Sequence, residues 1–312
     1  MVNQFAMLVW YWRPFLGAPL LIWRSKIAFD QAQTAQERMI TDRFSKAVDQ
    51  LGTVRRVPHN QSASETGVKS SWEEERPNIE VRLGGLYTLQ RISEDSLPDH
   101  IRVIETICSY VRLNSLRQAI TDEDAKPPRL DIDIEVALNI LGKRSYERCV
   151  FEMNNLLPLY LMRATLPNSN LNSLKFPFAD FQSCDLRYTT LRYTDLRQAW
   201  LEWTNFQFAD FHKCRLHRAS LRGADLRNTN VTMEALKLAH GVKSGFGETK
   251  LPGGIEPPDH WFEAPTAEKD SEASIAAYMT HYRKFLEFDK SAWRPELGKK
   301  IKIDEVRLDE NP

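Results

Sequence analysis

The chain has no charge of one sign to spare. Its 42 basic and 42 acidic residues cancel across 312 positions, so it has neither the diffuse basic charge of a nucleic-acid binder nor the acidic charge of a DNA mimic. Net charge therefore nominates no partner, and no nucleic acid is expected. Cysteine is scarce as well. Cys108, Cys149, Cys184 and Cys214 lack the close paired spacing of a zinc site and the density of a disulfide scaffold, which leaves reduced, buried thiols in a cytosolic setting. The signatures of chemistry are also missing: there is no phosphate-cradling glycine loop, nucleophile elbow, metal-spaced histidine pair on a helix, or kinase or deaminase motif. The sequence thus gives no reason to expect an enzyme, a cofactor or a metal.

Long apolar runs are absent except at the start. From Phe5 to Trp23, "FAMLVWYWRPFLGAPLLIW" is almost wholly apolar or aromatic, close to the roughly 20 residues a helix needs to cross a bilayer. Arg13 and Pro14 interrupt it, which leaves a re-entrant or interfacial anchor, or a buried helix of a soluble fold, as the alternatives. Arg24 and Lys26 follow it, whereas Met1 to Gln4 carry no charged side chain. The positive-inside rule then places the bulk of the chain in the cytoplasm, tethered to a membrane through residues 5–23. The formal glycan site at Asn60 would be irrelevant there.

Beyond Trp23, Ala28, Ala32, Ala35, Met39, Phe44, Val48 and Leu51 recur at three- and four-residue steps, with Gly52 where a helix would end. Residues 1–52 read as an anchor and its continuing helix. Residues 53–77 show no apolar period and read as a loop. Residues 78–146 read as a helical domain of three amphipathic helices. One carries Ile79, Leu83, Leu86 and Ile92, with Gly84 and Gly85 admitting a close neighbour; the next carries Ile101, Ile104, Ile107, Cys108 and Val111; the third begins after Pro127 and Pro128. The acids Asp131, Asp133 and Glu135 at that third start suit the helix dipole better than a metal.

A different period follows. Leu166, Leu171, Phe176, Phe181, Leu186, Leu191, Leu196, Leu201, Phe206, Phe211, Leu216, Leu221, Leu226 and Val231 recur every five residues without a miss. A helix, turning about 100° per residue, would scatter them around its surface, and a strand would alternate them between faces. A backbone that turns a corner every few residues buries them all. The residues two places earlier are small, as a crowded second inward position requires, from Ala164 and Ser169 to Ala224 and Thr229; Leu174 is the exception.

At this point the sequence resembles the pentapeptide-repeat family, whose motif "FADF" at 178–181 and "GADL" at 223–226 copy closely. The resemblance implies a right-handed quadrilateral parallel β-helix, four pentads to a coil, so that residues twenty apart stack at about 4.8 Å. Ala179, Ala199 and Ala219 would then form a column, Lys175, Asp195 and Arg215 would alternate in charge, and Tyr188 would sit beneath Phe208. The stretches 40–52, 78–112 and 134–144 look like the helical region before the repeats in a bacterial, membrane-anchored group of the family. "MEALKLAHGV" and "TKLPGGIEPPDHW" look like its closing helix and loop. The fold expected is an α + β solenoid: the anchor, the helical domain, the β-helix at 150–233 with Phe151, Leu156 and Leu161 extending its register, a cap at 234–262, and a tail at 263–312 with a helix around Ile275 to Phe288.

Within the coil, ten basic residues outnumber six acidic ones between Arg163 and Val231. His212 and His217 fall on adjacent sides, unsuited to sharing a metal. Arg187, Tyr188, Arg192, Tyr193, Arg197, Trp200, Trp203 and Phe208 fall outside, and arginine with aromatics is the composition of a docking face. A membrane-tethered scaffold for a protein partner is the expected function. The alternatives are a peptide-binding helical domain with the coil as spacer and, more remotely, the topoisomerase-directed DNA mimicry of quinolone-resistance members, which a mildly positive coil fits poorly. Leu196→Lys would bury an unpaired charge and disrupt the coil; a melting curve identical to wild type would sink the five-residue reading.

Overall fold

In the computed structural model, backbone is described for residues 3–60, 71–115, 126–264 and 271–288, and side chains for 21–57, 73–115, 126–264 and 272–286. Helix α1, Asn3–Leu51, opens the chain. Its buried stripe is Ile40, Phe44, Ala47 and Leu51, while Met39 and Val48 point outward. That stripe lies one residue away from part of the stripe expected from sequence. Most of the expected membrane segment, residues 5–20, lies outside the described side chains; among the described residues no helix is long and apolar enough to cross a membrane.

The expected loop at 53–77 instead contains two antiparallel strands, β1 Val54–Asn60 and β2 Ser71–Pro77. Arg56 reaches Glu73 and Glu75 across the pair, and Arg76 binds Glu74. Charge pairing needs no buried face, so the ribbon has no apolar alternation to betray it.

Helices α2 Ile79–Asp95, α3 Leu97–Asn114 and α4 Ile132–Lys143 pack together with the end of α1. Leu86, Leu89, Ile92, Val103, Ile107, Val111, Ile134, Leu138 and Leu141 fill the core between them. Gly85 is required there: a Cβ on it would lie 2.7 Å from the Ala47 carbonyl of α1, whereas one on Gly84 would meet nothing. A buried Arg82–Asp133–Tyr110 cluster ties three of these helices together. Asp133 is thus an interior ion-pair partner, beyond the dipole role expected of it. Helix α5, Tyr146–Asn154, follows an N-cap at Ser145. It contains Phe151 and ends just before Leu156, which is 59% exposed. Neither belongs to the coil, whose parallel bridges start only at Tyr160, although both share its five-residue register.

The coil begins at Tyr160. Parallel bridges pair residues twenty apart, from Tyr160 with Asp180 to Asn205 with Asp225. Each pentad turns a corner on a residue with positive φ, successively Arg163, Asn168, Ser173, Phe178 and onward to Asn228. The apolar series from Leu166 to Val231 is at most 4% exposed. The small positions back it: hydroxyls of Thr189, Thr194 and Thr204 donate to the carbonyls of Leu166, Leu171 and Phe181 in the coil before.

Both ends of the ladder are covered. Leu174, too large for its column, belongs to the first coil and packs on Gly142 of α4, where an added Cβ would lie 2.6 Å away. The Lys175 amide donates to the Gly142 carbonyl, so the helical block supplies the acceptor a preceding coil would have given. At the other end, helix α6 Met233–Lys237, strand β3 Val242–Ser244 and strand β4 Phe262–Glu263 close the coil. There Trp261 is buried and its indole N–H donates to the Ala239 carbonyl. Helix α7, Ser271–Phe288, lies against the side of this end through Tyr278 and Tyr282.

The Leu174–Gly142 contact is testable as a cycle. Gly142→Ala should cost about 1–3 kcal/mol by overpacking, and Leu174→Ala about 2–5 kcal/mol by opening a cavity. Urea melts of the double variant should show a loss smaller than the sum; strict additivity would mean that the two residues do not meet.

Candidate interaction surface

A coil with four corners in twenty residues sends side chains five apart to successive sides. Arg187, Arg192 and Arg197 therefore cannot share a face, and the expected surface divides. Arg187 and Arg197 fold back onto Asp185 and Asp195, at 2.8 and 2.7 Å, and are nearly buried. Trp200 packs on Phe178 with ring centroids 5.3 Å apart. Trp203 stacks over Gly223, one coil on, where any Cβ would lie 2.5 Å from the ring. These four residues serve the coil.

The other four gather on one wall. It is the side between the corners at Tyr188 and Tyr193, whose residues stack with those twenty before and after. Tyr188 and Phe208 stack along one edge at 4.7 Å and 11° between planes. Tyr193 stands on the other edge, with His212 edge-on at 5.6 Å and the Lys213 ammonium 5.5 Å from its centroid. Between the edges runs a polar ladder: Thr190 donates to Asn170, Arg192 to Asp210, and Asn230 to Asp210. The Asn230, Arg192 and His212 amide bonds outweigh its partial burial and hold the Asp210 carboxyl below its usual range. Tyr193 is 54% and Phe208 38% exposed, so apolar rim and charged centre both face out.

The opposite region is occupied. Tyr278 of α7 shares a 2.8 Å hydrogen bond with Ser220, and the Tyr282 hydroxyl donates to the Arg218 carbonyl. The Arg222 guanidinium lies over the rings of Trp203, Phe246 and Tyr278 at 5.3–5.5 Å, held by π faces where two of its nitrogens have no hydrogen-bond acceptor. His240 sits inside this aromatic cluster, 2.8 Å from His281. Nothing in the sequence marked α7 as the coil's neighbour, because a single docking event leaves no period. Among the described residues no set of His, Cys, Asp and Glu is placed to hold a metal.

Eight copies of the pentapeptide repeat are matched by the family model over residues 161–202 and 201–232. Residues 161–232 belong to the pentapeptide-repeat family. Solved pentapeptide-repeat structures resemble the chain in part. One, from the thylakoid lumen of Arabidopsis thaliana, is 18% identical over 28% of this chain and 63% of its own, with a TM-score of 0.24. A second, from the cyanobacterium Cyanothece, is 28% identical over 34% of this chain and 65% of its own, with a TM-score of 0.18. A third, from Nostoc, is 27% identical over 35% and 86%, with a TM-score of 0.19. The chain thus spans under two thirds of the first two. No curated protein matches it. The family match covers the pentapeptide coil and leaves the helical region before it unassigned.

Docking of α7 on the pentapeptide coil should weaken in acid. Burial, with His281 and His260 nearby, pushes the His240 pKa down to about 3, and burial with Lys284, His260 and Lys243 lowers that of His281. An unfolded histidine titrates near 6.5, so below that pH the unfolded chain takes up protons the folded one refuses. Stability should fall by up to about 1.4 kcal/mol per pH unit from His240 between roughly 6.5 and 3. Burial raises the pKa of Asp180 and Glu202, which act in the opposite sense. Melting wild type beside His240→Asn at pH 7.5 and 5 isolates the histidine; equal pH dependence in both would refute its role.

Proposed function

We propose that this protein is a non-enzymatic interaction scaffold, tethered to a membrane through residues 5–23 with its bulk in the cytoplasm. Its repeats form the right-handed, four-sided parallel β-helix that the family implies, and the wall bearing Tyr188, Arg192, Tyr193 and Phe208 receives a protein partner. The observation that carries this reading is the exposure of Tyr193 and Phe208 at corner positions. Two other aromatic corners pack on neighbours: Phe178 on Trp200, and Trp203, itself 44% exposed, on Gly223 and Arg222. Tyr193 and Phe208 stay half in water, on a backbone fixed by hydrogen bonds above and below. Rigid aromatics around charged groups give contact area at little entropic cost.

Family membership favours interaction over catalysis. The ten-to-six excess of basic residues in the coil disfavours mimicry of DNA. The tether rests on the apolar run alone, and the scaffold reading survives without it.

The test is crosslinking in native cells, with wild type compared to a Tyr193→Ala, Phe208→Ala double variant. Partner yield should fall at least tenfold while the melting midpoint stays close to wild type. Trp203→Ala should show the reverse, lowering the melting point and sparing capture in the remaining folded protein. Undiminished capture by the double variant would move the interface elsewhere. For the tether, wild type should sediment with membranes after gentle lysis and a chain lacking residues 5–23 should not.

A further inference from the structure

Several arginines of the coil find a carboxylate within the coil itself. Asp185, Asp195 and Asp225 each stand two places before an arginine, and the guanidiniums of Arg187, Arg197 and Arg227 fold back onto them at 2.7–2.8 Å. Arg192 follows Thr190 and takes Asp210 of the next coil instead. Arg222 holds the same place in its pentad. Two places before it stands Ser220, where the first three have aspartate, and the Ser220 hydroxyl donates to Glu202 and shares a hydrogen bond with Tyr278. Arg222 is left with rings: Trp203, Phe246 and Tyr278 at 5.3–5.5 Å.

Helix α7 covers this arginine without pairing it. Arg222 is 4% exposed, and its Nε and Nη2 are buried with no acceptor. Two further polar atoms under α7 are buried and unpaired: Nδ1 of His240, whose ring meets Tyr278, Tyr282 and Phe285, and Oγ of Ser274, one turn before Tyr278 on the buried face of the helix. Each has lost water and gained no partner, which is the costly way to bury a polar atom. Among the described side chains of α7, 272–286, the acid is Glu272, and it is exposed. What seats the helix is aromatic: Tyr278 and Tyr282 pack with Val242 and Ala264, and Phe285 stacks on His260 at 5.0 Å. The fit is good in shape and poor in charge.

We propose that α7 is a displaceable strap, and that the coil face beneath it, centred on Arg222, docks an acidic, aromatic-bearing helix of a protein partner in its place. Charge complementarity selects this occupant. A carboxylate aimed at Arg222 would complete the acid–arginine pair that Asp185, Asp195 and Asp225 complete within their own pentads, a charge-assisted contact that a guanidinium makes with two nitrogens at once. The aromatic requirement is read from α7: rings at 278, 282 and 285, neighbours on one helix face, already fit Ser220, the Arg218 carbonyl and His260. The α7 of a second copy would bring the rings and no acid, so it matches Arg222 no better than the resident helix does. While it is seated, α7 withholds the face. This face is separate from the wall of Tyr193 and Phe208, and neither assignment depends on the other.

The experiment titrates the full chain, by fluorescence anisotropy, with two labelled synthetic peptides: a copy of residues 271–288, and the same copy carrying Ser274→Glu, which puts a carboxylate on the face that meets Arg222. The hosts are wild type and a Tyr278→Phe, Tyr282→Phe double variant, which keeps the rings and removes both hydroxyl bonds of the strap. The acidic peptide should bind the double variant about tenfold or more tighter than wild type, because the resident helix competes less. In that variant it should also bind about tenfold or more tighter than the plain copy, and adding Arg222→Gln should erase the difference. Hydrogen exchange reads the strap directly: amides of α7 should exchange faster in the double variant while those of 161–232 keep wild-type protection. If the two peptides bind alike in both hosts, or their difference survives Arg222→Gln, no carboxylate belongs at this arginine and the proposal fails. Loss of protection in α7 and the coil together would make α7 a fixed part of the coil. A double variant that dimerises would assign the face to a second copy's α7 and overturn the acidic partner.

Discussion

The ladder between coils is the constraint on which this structure depends. Within the repeats, amides bond to carbonyls of the next coil or the previous one, as Leu166 does to Asp185 and Asp185 to Ala164. A coil has no hydrogen-bonding neighbour beyond the two it touches, so the first and last expose a row of unpaired groups. The rest of the chain answers that need. At the start, the Gly142 carbonyl and the Arg144 guanidinium take the place of a preceding coil. At the end, the bridges continue from Ser220 to His240 and from Asp225 to Lys250, and Trp261 closes over the core. The helical region is therefore part of the coil's stability as well as a neighbour to it.

How much of this the sequence reveals depends on whether a feature repeats. The inward series from Leu166 to Val231 follows from the five-residue period, because the same backbone geometry recurs and each occurrence reinforces the last; the stack of Tyr188 on Phe208 follows from the twenty-residue coil that the family resemblance implies. The strand pair 54–60 and 71–77 is held by Arg56 with Glu73 and Glu75 in the open, and a pair with no buried face leaves no apolar alternation. Phe151 and Leu156 have the right spacing and the wrong structure, since Ser145 caps a helix that contains Phe151 and ends just before Leu156. Leu174 looks like a flaw in its column until Gly142 is placed beside it. The proposed surface was half legible: on a four-sided coil, spacing by fives sends Arg187, Arg192 and Arg197 to different sides, but only their contacts show which arginine is left exposed.

Buried polar groups do a second kind of work. Arg82 with Asp133, and Arg144 with Glu152 and His100, lie in an interior that apolar residues could have filled, and ion pairs of this kind give orientation more reliably than stability. Glu152 joins α5 to α3 and α4 at once, which sets the angle at which the chain enters the coil. The thiols show the opposite case. Burial raises the pKa of Cys108 and Cys184 to about 12 and of Cys149 to about 11, so at neutral pH they are inert packing groups.

The corners carry the remaining information. Each pentad places one residue in the left-handed region, where side chains other than glycine and asparagine cost about 1–2 kcal/mol, and the ladder holds it there regardless. For the fold alone, Asn168, Asn228 and Gly223 are the economical choices. A bulky aromatic at a corner adds strain, and where it packs on a neighbour, as Phe178 does on Trp200 and Trp203 on Gly223 and Arg222, the contact offsets part of the cost. Tyr193 recovers only what Lys213 and His212 return at an exposed edge, and Phe208 only its stack on Tyr188. On the proposed function, a partner covering these two strained, solvent-facing corners would recover the cost that the coil leaves uncompensated.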